Sequence, residues 1–280
     1  MPEKPFAQIK KNISSKIPKD LINYLPDKWE KIGDVLTIVL PKILERYKEN
    51  IAESYASTLD CKTVLNDVGG ISGEYREPNV EILFGPNDTE TTHKENGVKY
   101  KLDPQKIMFS SGNMDERIRM GETVVKNEVV VDLFAGIGYF SLPIAVHGRP
   151  KKVFAVEKNP VSFNYLSKNI TLNNVSSIVE PIHGDNRIVA PKNVADRVIM
   201  GYFDTIVFLP IGIECLKNRC GVIHFHDKFS DDFVPDTAFE KIEKAVEKYD
   251  RHVDLIDYKC VKSYAPGISH YVFDLKVGEK

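Results

Sequence analysis

Thirteen residues near the middle of the chain constrain its fold more than any others: Val129-Val130-Val131-Asp132-Leu133-Phe134-Ala135-Gly136-Ile137-Gly138-Tyr139-Phe140-Ser141. The β-branched run reads as a buried strand that ends in an acid. A Gly-x-Gly turn then leads into a helix over 139–146. Glycines there let the backbone turn tightly and let a ligand approach with no Cβ in the way. The rhythm continues with strands over 152–157, 177–183, 197–201 and 221–226 and helices over 160–173 and 235–248. Such alternation predicts an α/β fold with a mostly parallel sheet wrapped by helices. Two β-rich runs, 253–263 and 270–277, close the chain. The link Tyr264-Ala265-Pro266-Gly267 is too short for a parallel crossover, so one of the two must run antiparallel.

Polar residues fall at successive strand ends, where ligands of open α/β sheets bind. Glu157 follows Gly138 by 19 residues and sits where a carboxylate accepts from both hydroxyls of a ribose. Asp185 and Asn186, after the third strand, supply an acid and an amide for the amino edge of adenine. Together they point to an adenosine-containing ligand rather than a bare βαβ turn. A nicotinamide dinucleotide calls for Gly or Ala where this chain has Ser141, a weak distinction because serine is small. Asp132 before the loop and the second acid after the third strand fit S-adenosylmethionine better. A nicotinamide-dependent oxidoreductase and a non-catalytic RNA-binding protein on the same sheet are the alternatives; the intact loop and acids speak against the latter.

The first 100 residues read differently, as a smaller α+β domain, so the expected division is 1–100 and 101–280. A short helix opens at Pro18, a strand covers 34–40, a helix with apolar spacing covers 42–57, and another strand covers 80–84. Asn96-Gly97 between 91–94 and 98–102 predicts a hairpin on a type I′ turn. Two domains also suit 280 residues. With 38 Lys and Arg against 40 Asp and Glu, a nucleic-acid partner must be met by a local patch. Candidates are Lys106, Arg117, Arg119, Lys126, Arg187 and Lys192. No apolar run exceeds four residues, far short of a membrane span of about 20. The start, Met1-Pro2-Glu3-Lys4-Pro5, has no apolar signal core, and Cys61, Cys215, Cys220 and Cys260 form no CxxC pair. A cytoplasmic protein without a metal site is expected. His224 and His226, i and i+2 on a strand, share a face but lack a third ligand, and His183 lies near the adenosine residues.

Before the sheet runs Lys106-Ile107-Met108-Phe109-Ser110-Ser111-Gly112-Asn113-Met114-Asp115-Glu116-Arg117-Ile118-Arg119. Helix capping accounts for its serines, but not for an exposed Phe109 or for Glu116-Arg117 followed by Arg119. This segment, with Asp132 to Phe140 and Val156-Glu157-Lys158-Asn159-Pro160, resembles the class I tRNA-modifying enzymes that act on the purine 3′ to the anticodon. The likeness extends to the ending Lys262-Ser263-Tyr264-Ala265-Pro266-Gly267. Two sister groups share the pattern: tRNA guanine-N1 methyltransferases, and archaeal wybutosine-pathway aminocarboxypropyltransferases that move the amino-acid arm of the same S-adenosylmethionine. The methyltransferases carry Asn-Leu-Pro after the fourth strand and a Ser-Pro-Arg form upstream. This chain has Met200-Gly201-Tyr202 and Ser-Ser-Gly-Asn, so the resemblance favours the aminocarboxypropyltransferases, with the methyltransferase as the alternative.

The resemblance implies a Rossmann-like, seven-stranded catalytic domain and an N-terminal domain that positions tRNA. It implies S-adenosylmethionine as donor and the anticodon arm of tRNA(Phe) carrying 4-demethylwyosine as acceptor, with no metal and no evident protein partner. The implied donor site comprises Ser110, Ser111, Arg117, Asp132, Phe134, Ala135, Gly136, Gly138, Glu157, Lys158, Asp185 and Asn186. Within it Ser110 and Arg117 hold the methionine moiety, with Arg117 on its carboxylate. Ser110, Arg117 and Tyr202 are positioning candidates. Phe109, Tyr139 and Phe140 read as core aromatics before stacking groups, and no general base is evident.

Overall fold

The structure is a computed structural model that describes residues 4–280; residues 1–3, at the start read above for a signal, lie outside it. The described chain forms two units, residues 4–94 with Lys99–Ser111, and Glu95–Val98 with Gly112–Lys280. The first unit therefore runs past the expected boundary at residue 100. Tyr100, Leu102 and Phe109 are buried in it, and the Phe109 ring lies edge-on to His93 and Tyr100. The expectation of an exposed Phe109 is thus corrected by a local aromatic cluster that covers it.

In the first unit come α1 (Pro5–Ile13), β1 (Glu30–Ile32), β2 (Val35–Ile38), α2 (Lys48–Leu59), β3 (Thr63–Ser72) and β4 (Glu77–Phe84). The sheet order is β1-β2-β3-β4, with β2 and β3 parallel and the outer pairs antiparallel. Ile9, Ile13, Leu36, Ile38, Leu44, Ile51, Tyr55 and Val64 make its core. The predicted helix over 42–57 starts as a 3₁₀ turn, Lys42–Tyr47, and becomes α2 only after Tyr47 leaves helical geometry at φ −114° and ψ 11°. The strand predicted over 34–40 stops at Ile38, because the Leu40 N–H goes to Asn66 Oδ1 at 2.8 Å. β5 (Thr91–Glu95) and β6 (Val98–Leu102) form the predicted hairpin, with Asn96 and Gly97 at φ 45° and 78° as a type I′ turn needs.

The second unit holds α3 (Met114–Thr123), β7 (Val129–Asp132), α4 (Ser141–Pro143), β8 (Lys152–Glu157), α5 (Pro160–Leu172), β9 (Val179–His183) and α6 (Asn186–Val189). There follow β10 (Arg197–Met200), α7 (Leu209–Cys215), β11 (Gly221–Ser230), α8 (Asp236–Glu247), β12 (Arg251–Ala265) and β13 (Ile268–Glu279). The seven-stranded sheet has the order β12-β13-β11-β10-β7-β8-β9. β13 is antiparallel to both neighbours and the remaining pairs are parallel, so the odd strand is the last one. The chain leaves β7 toward β8 and β9, then returns to β10 on the other side of β7. That reversal makes the carboxyl ends of β7 and β10 the topological switch point, the usual ligand position in such sheets. The helix predicted over 139–146 is short: Pro143 has no N–H for the regular ladder, and a π-helical turn, Ile144–Gly148, follows.

Candidate active site

The glycine loop between β7 and α4 is built from backbone conformations that side chains resist. Gly136 and Gly138 have φ 57° and 101°, and a Cβ on Gly138 would lie 2.6 Å from Leu142. Three groups brace the loop. Ala135, fully buried, donates its N–H to the Val156 carbonyl at 2.9 Å and accepts from the Gly138 N–H at 2.8 Å. Asp132, also fully buried, accepts from the Phe134 N–H at 3.2 Å and the Ser141 hydroxyl at 2.7 Å. Burial pushes its carboxyl up to about 6, against the pull of those hydrogen bonds. Glu157, at the end of β8, accepts from the Gly136 N–H and the Asn159 N–H, each at 2.7 Å. Burial raises its pKa, while these amides act in the opposite direction.

At the end of β9, Asp185 caps α6 by accepting from the Arg187 N–H at 3.0 Å. The Arg187 side chain, at 2.5 Å, holds its carboxyl well below the usual range, and Lys158 at 3.2 Å adds to this. Asn186 is buried and donates from Nδ2 to the Leu133 carbonyl at 3.0 Å. Its Oδ1 is buried with no hydrogen-bond partner. A buried acceptor left open in this way fits a ligand amino group such as that of adenine.

A third piece is the loop after β10. The Tyr202 ring stacks on Phe134 at 5.2 Å and 12°, and Phe134 meets Phe208 edge-on. Gly201 passes so close to the Phe140 ring that a Cβ there would lie 2.5 Å from it. β11 anchors the loop: Asp227 accepts from the N–H groups of Asp204 and Thr205 at 2.8 and 3.1 Å. Tyr202, Phe134 and the glycine loop, all singled out in the sequence, are thus brought together at the switch point.

Other expected residues are placed differently. Arg117 is buried on α3 and gives its fork to Glu95, with Nε and Nη2 each 2.6 Å from a carboxylate oxygen. Its fork is directed at a protein carboxylate, not held open toward a ligand. Ser110 and Ser111 belong to the first unit, where the Ser111 N–H donates to Glu30 at 2.7 Å. His183 stacks on Phe163. Of the six cations proposed as a tRNA patch, Lys106, Arg117, Arg119, Arg187 and Lys192 each pair with a carboxylate, and Lys126 is exposed. Five of the six are therefore ion-paired to neighbouring acids.

The sequence did not reveal a buried chain of charged and polar groups along one face of the sheet. Glu128 pairs with Arg197 at 2.8 Å, and Arg197 donates to His224 Nε2 at 2.6 Å. His224 Nδ1 lies 2.6 Å from Asp274, and Arg119 joins Asp274 at 2.6 Å to Glu116 at 2.7 Å. Burial lowers the pKa of His224 against the pull of Asp274. The i and i+2 histidines were its one visible signal; their partners on β13 are some 50 residues away. Among the described residues no group of His, Cys, Asp and Glu could hold a metal ion, and no helix is long and apolar enough to cross a membrane.

Comparison with known proteins accords with this geometry. Residues 91–256 match the TRM5/TYW2 methyltransferase domain and residues 9–89 the TYW2 N-terminal domain. The chain belongs to the TRM5/TYW2 family. It is 44% identical over 271 residues, 96% of each chain, to the tRNA(Phe) (4-demethylwyosine(37)-C(7)) aminocarboxypropyltransferase of Pyrococcus horikoshii. It is 46% identical to the Methanocaldococcus jannaschii protein of that name, over 89% of this chain and 97% of the relative. The crystal structure of P. horikoshii TYW2 in complex with MeSAdo matches at a TM-score of 0.89 and 41% identity, covering 98% of this chain and all of that one. The tRNA (guanine(37)-N(1))-methyltransferase Trm5b of Pyrococcus abyssi is more distant, at 34% identity over 93% of this chain and 78% of its own length.

Proposed function

We propose that the protein transfers the 3-amino-3-carboxypropyl group of S-adenosylmethionine to C7 of the 4-demethylwyosine base beside the anticodon of tRNA(Phe), releasing 5′-methylthioadenosine. The observation that carries this reading is the graded likeness: identity is 44–46% to the aminocarboxypropyltransferases over most of both chains, and 34% to Trm5b. The loop after β10 supports it, since Met200-Gly201-Tyr202 stands where the methyltransferases carry Asn-Leu-Pro.

The donor sulfonium carries three carbons, and the one held in line with the nucleophile is the one transferred. The glycine loop gives close backbone approach, Glu157 the ribose contact, and Asn186 Oδ1 an acceptor for the adenine amino group. Asp132 acts from behind, bracing the loop. Arg117 serves the donor arm by fixing α3. The sulfonium is already a good leaving group, so positioning is the protein's main task. The first unit holds the tRNA, in keeping with its match to the TYW2 N-terminal domain.

The test is the nucleoside coproduct. The protein is incubated with S-adenosylmethionine and tRNA(Phe) bearing 4-demethylwyosine, and the small molecules are separated. 5′-Methylthioadenosine is expected; S-adenosylhomocysteine means that a methyl has moved and overturns the reading.

A further inference from the structure

Transfer to a ring carbon has a consequence that positioning alone does not meet. When C7 attacks the γ-carbon of the donor arm, a C–C bond forms and the C–S pair leaves with sulfur as a neutral thioether. The ring is left cationic with hydrogen still on C7. The C–H bond must then break, its electron pair returning to the ring and its proton going to a base. We propose that this base is the buried pair His270–His226, with His270 as the proton-accepting end and His226 and Glu116 as positioning residues behind it. The proposal rests on the reaction assigned above.

Geometry places the pair between the segment after the glycine loop and the loop after β10. Met200, the last residue of β10, pairs with Phe225 of β11, so His226 lies one residue beyond, level with Gly201. His270 of β13 pairs with Lys228 of β11. The His226 ring lies 5.1 Å from Phe140, which follows the glycine loop, and the His270 ring lies 5.0 Å from Phe203, edge-on. One ring thus packs on the segment that follows the glycine loop and the other on the loop after β10.

Hydrogen bonding sets the direction of the relay. His226 Nδ1 is 3.1 Å from His270 Nε2. His226 Nε2 is buried with no hydrogen-bond partner, and Glu116 Oε1 lies 3.9 Å from it. A lone pair facing a carboxylate is repelled and an N–H is attracted, so the proton of neutral His226 belongs on Nε2. Nδ1 then accepts from the Nε2–H of His270, which leaves His270 Nδ1 as the basic nitrogen. Burial, with the charges of His270, His224 and Arg119, holds the His226 pKa well below the usual value, against the pull of Asp274. His226 therefore stays neutral in the resting protein. A weak base is sufficient, because a proton on a cationic ring is strongly acidic. Once His270 is charged, its Nε2 proton can pass to His226 beside Glu116.

The test uses tRNA(Phe) carrying 4-demethylwyosine with hydrogen or deuterium at C7. In the wild type proton loss is fast, and formation of the neutral substituted base shows a C7 isotope effect near 1. For His226→Gln and His270→Asn we expect formation of that base to slow about 100-fold, the lower end of general-base contributions. The C7 isotope effect should rise above about 2, with S-adenosylmethionine affinity within two-fold. Merely loosened packing slows turnover without unmasking C7–H cleavage. Both variants within three-fold of wild type, or slowed with the isotope effect still near 1, overturn the proposal; His226→Phe, which keeps the volume and removes the relay, must behave like His226→Gln. Wild-type protein yielding S-adenosylhomocysteine overturns the assigned reaction instead, and the relay with it. Methylthioadenosine from the wild type with unaffected variants overturns the relay alone.

Discussion

Arg117 and Glu95 give the strongest prediction about what holds α3 in place. Their side chains are 2% and 5% exposed, and two contacts of 2.6 Å join guanidinium to carboxylate. Removing one member of such a pair strands a buried charge and costs about 3–5 kcal/mol. For a unit of this size each kcal/mol corresponds to about 2–4 °C, so Glu95→Ala should lower Tm by about 6–20 °C. Arg117→Ala should do the same. The double variant Glu95→Leu/Arg117→Met should recover most of the loss, because apolar groups of similar volume carry no charge to desolvate. Calorimetric unfolding at neutral pH measures this, and titration with S-adenosylmethionine on the same samples separates stability from ligand contact. An Arg117→Ala protein with Tm within about 2 °C of wild type but several-fold weaker donor binding refutes the reasoning. That result would return Arg117 to the carboxylate of the methionine moiety.

Two further outcomes follow from the loop. Asn186→Ala removes the open buried acceptor and should weaken S-adenosylmethionine binding about 5–10-fold in a calorimetric titration, the worth of one hydrogen bond; unchanged affinity refutes the adenine contact. Asp132, whose folded pKa is raised to about 6, holds its proton more tightly folded than unfolded. Its contribution is therefore present below the unfolded pKa near 4 and is lost as pH rises through 6, a swing of about 3 kcal/mol. Asp132→Asn should gain Tm relative to wild type as pH rises from 4 to 7, and a pH-independent difference refutes the assignment.

The sheet and its glycine loop were legible because their signals are local. Val129 to Ser141 encodes strand, turn and helix start within one short stretch, and Asn96-Gly97 alone specifies a hairpin. The short link between the last two strands fixed one of them as antiparallel, and β13 is that strand. What was not legible depends on partners distant in sequence or on polar strands. β3 carries Asn66-Asp67 and Gly69-Gly70, and only its first four residues are buried. Arg117 reads as a ligand clamp until Glu95, 22 residues away, is seen beneath it. Five of the six cations chosen for tRNA pair with acids that no periodicity reveals. Asp132 and Glu157 are marked in the sequence by position alone, and their hold on the backbone of the loop becomes visible only in the structure.

The same sheet serves two transfers in this family, and the structure suggests why little has to change between them. The ribose and adenine contacts proposed above, Glu157 and Asn186, sit beyond β8 and β9, on one side of the switch point. On the proposed reading, the choice among the sulfonium carbons falls to the other side, beyond β10 and β11. There Gly201 gives its space to Phe140, Tyr202 to the stack on Phe134, and His226 and His270 fill the layer beneath. A side chain at 201 would drive the Phe140 ring aside and disturb its contact with His226. Gly201 and the histidine layer are therefore packed as one unit: the residue that gives way to the Phe140 ring also lets that ring rest on His226.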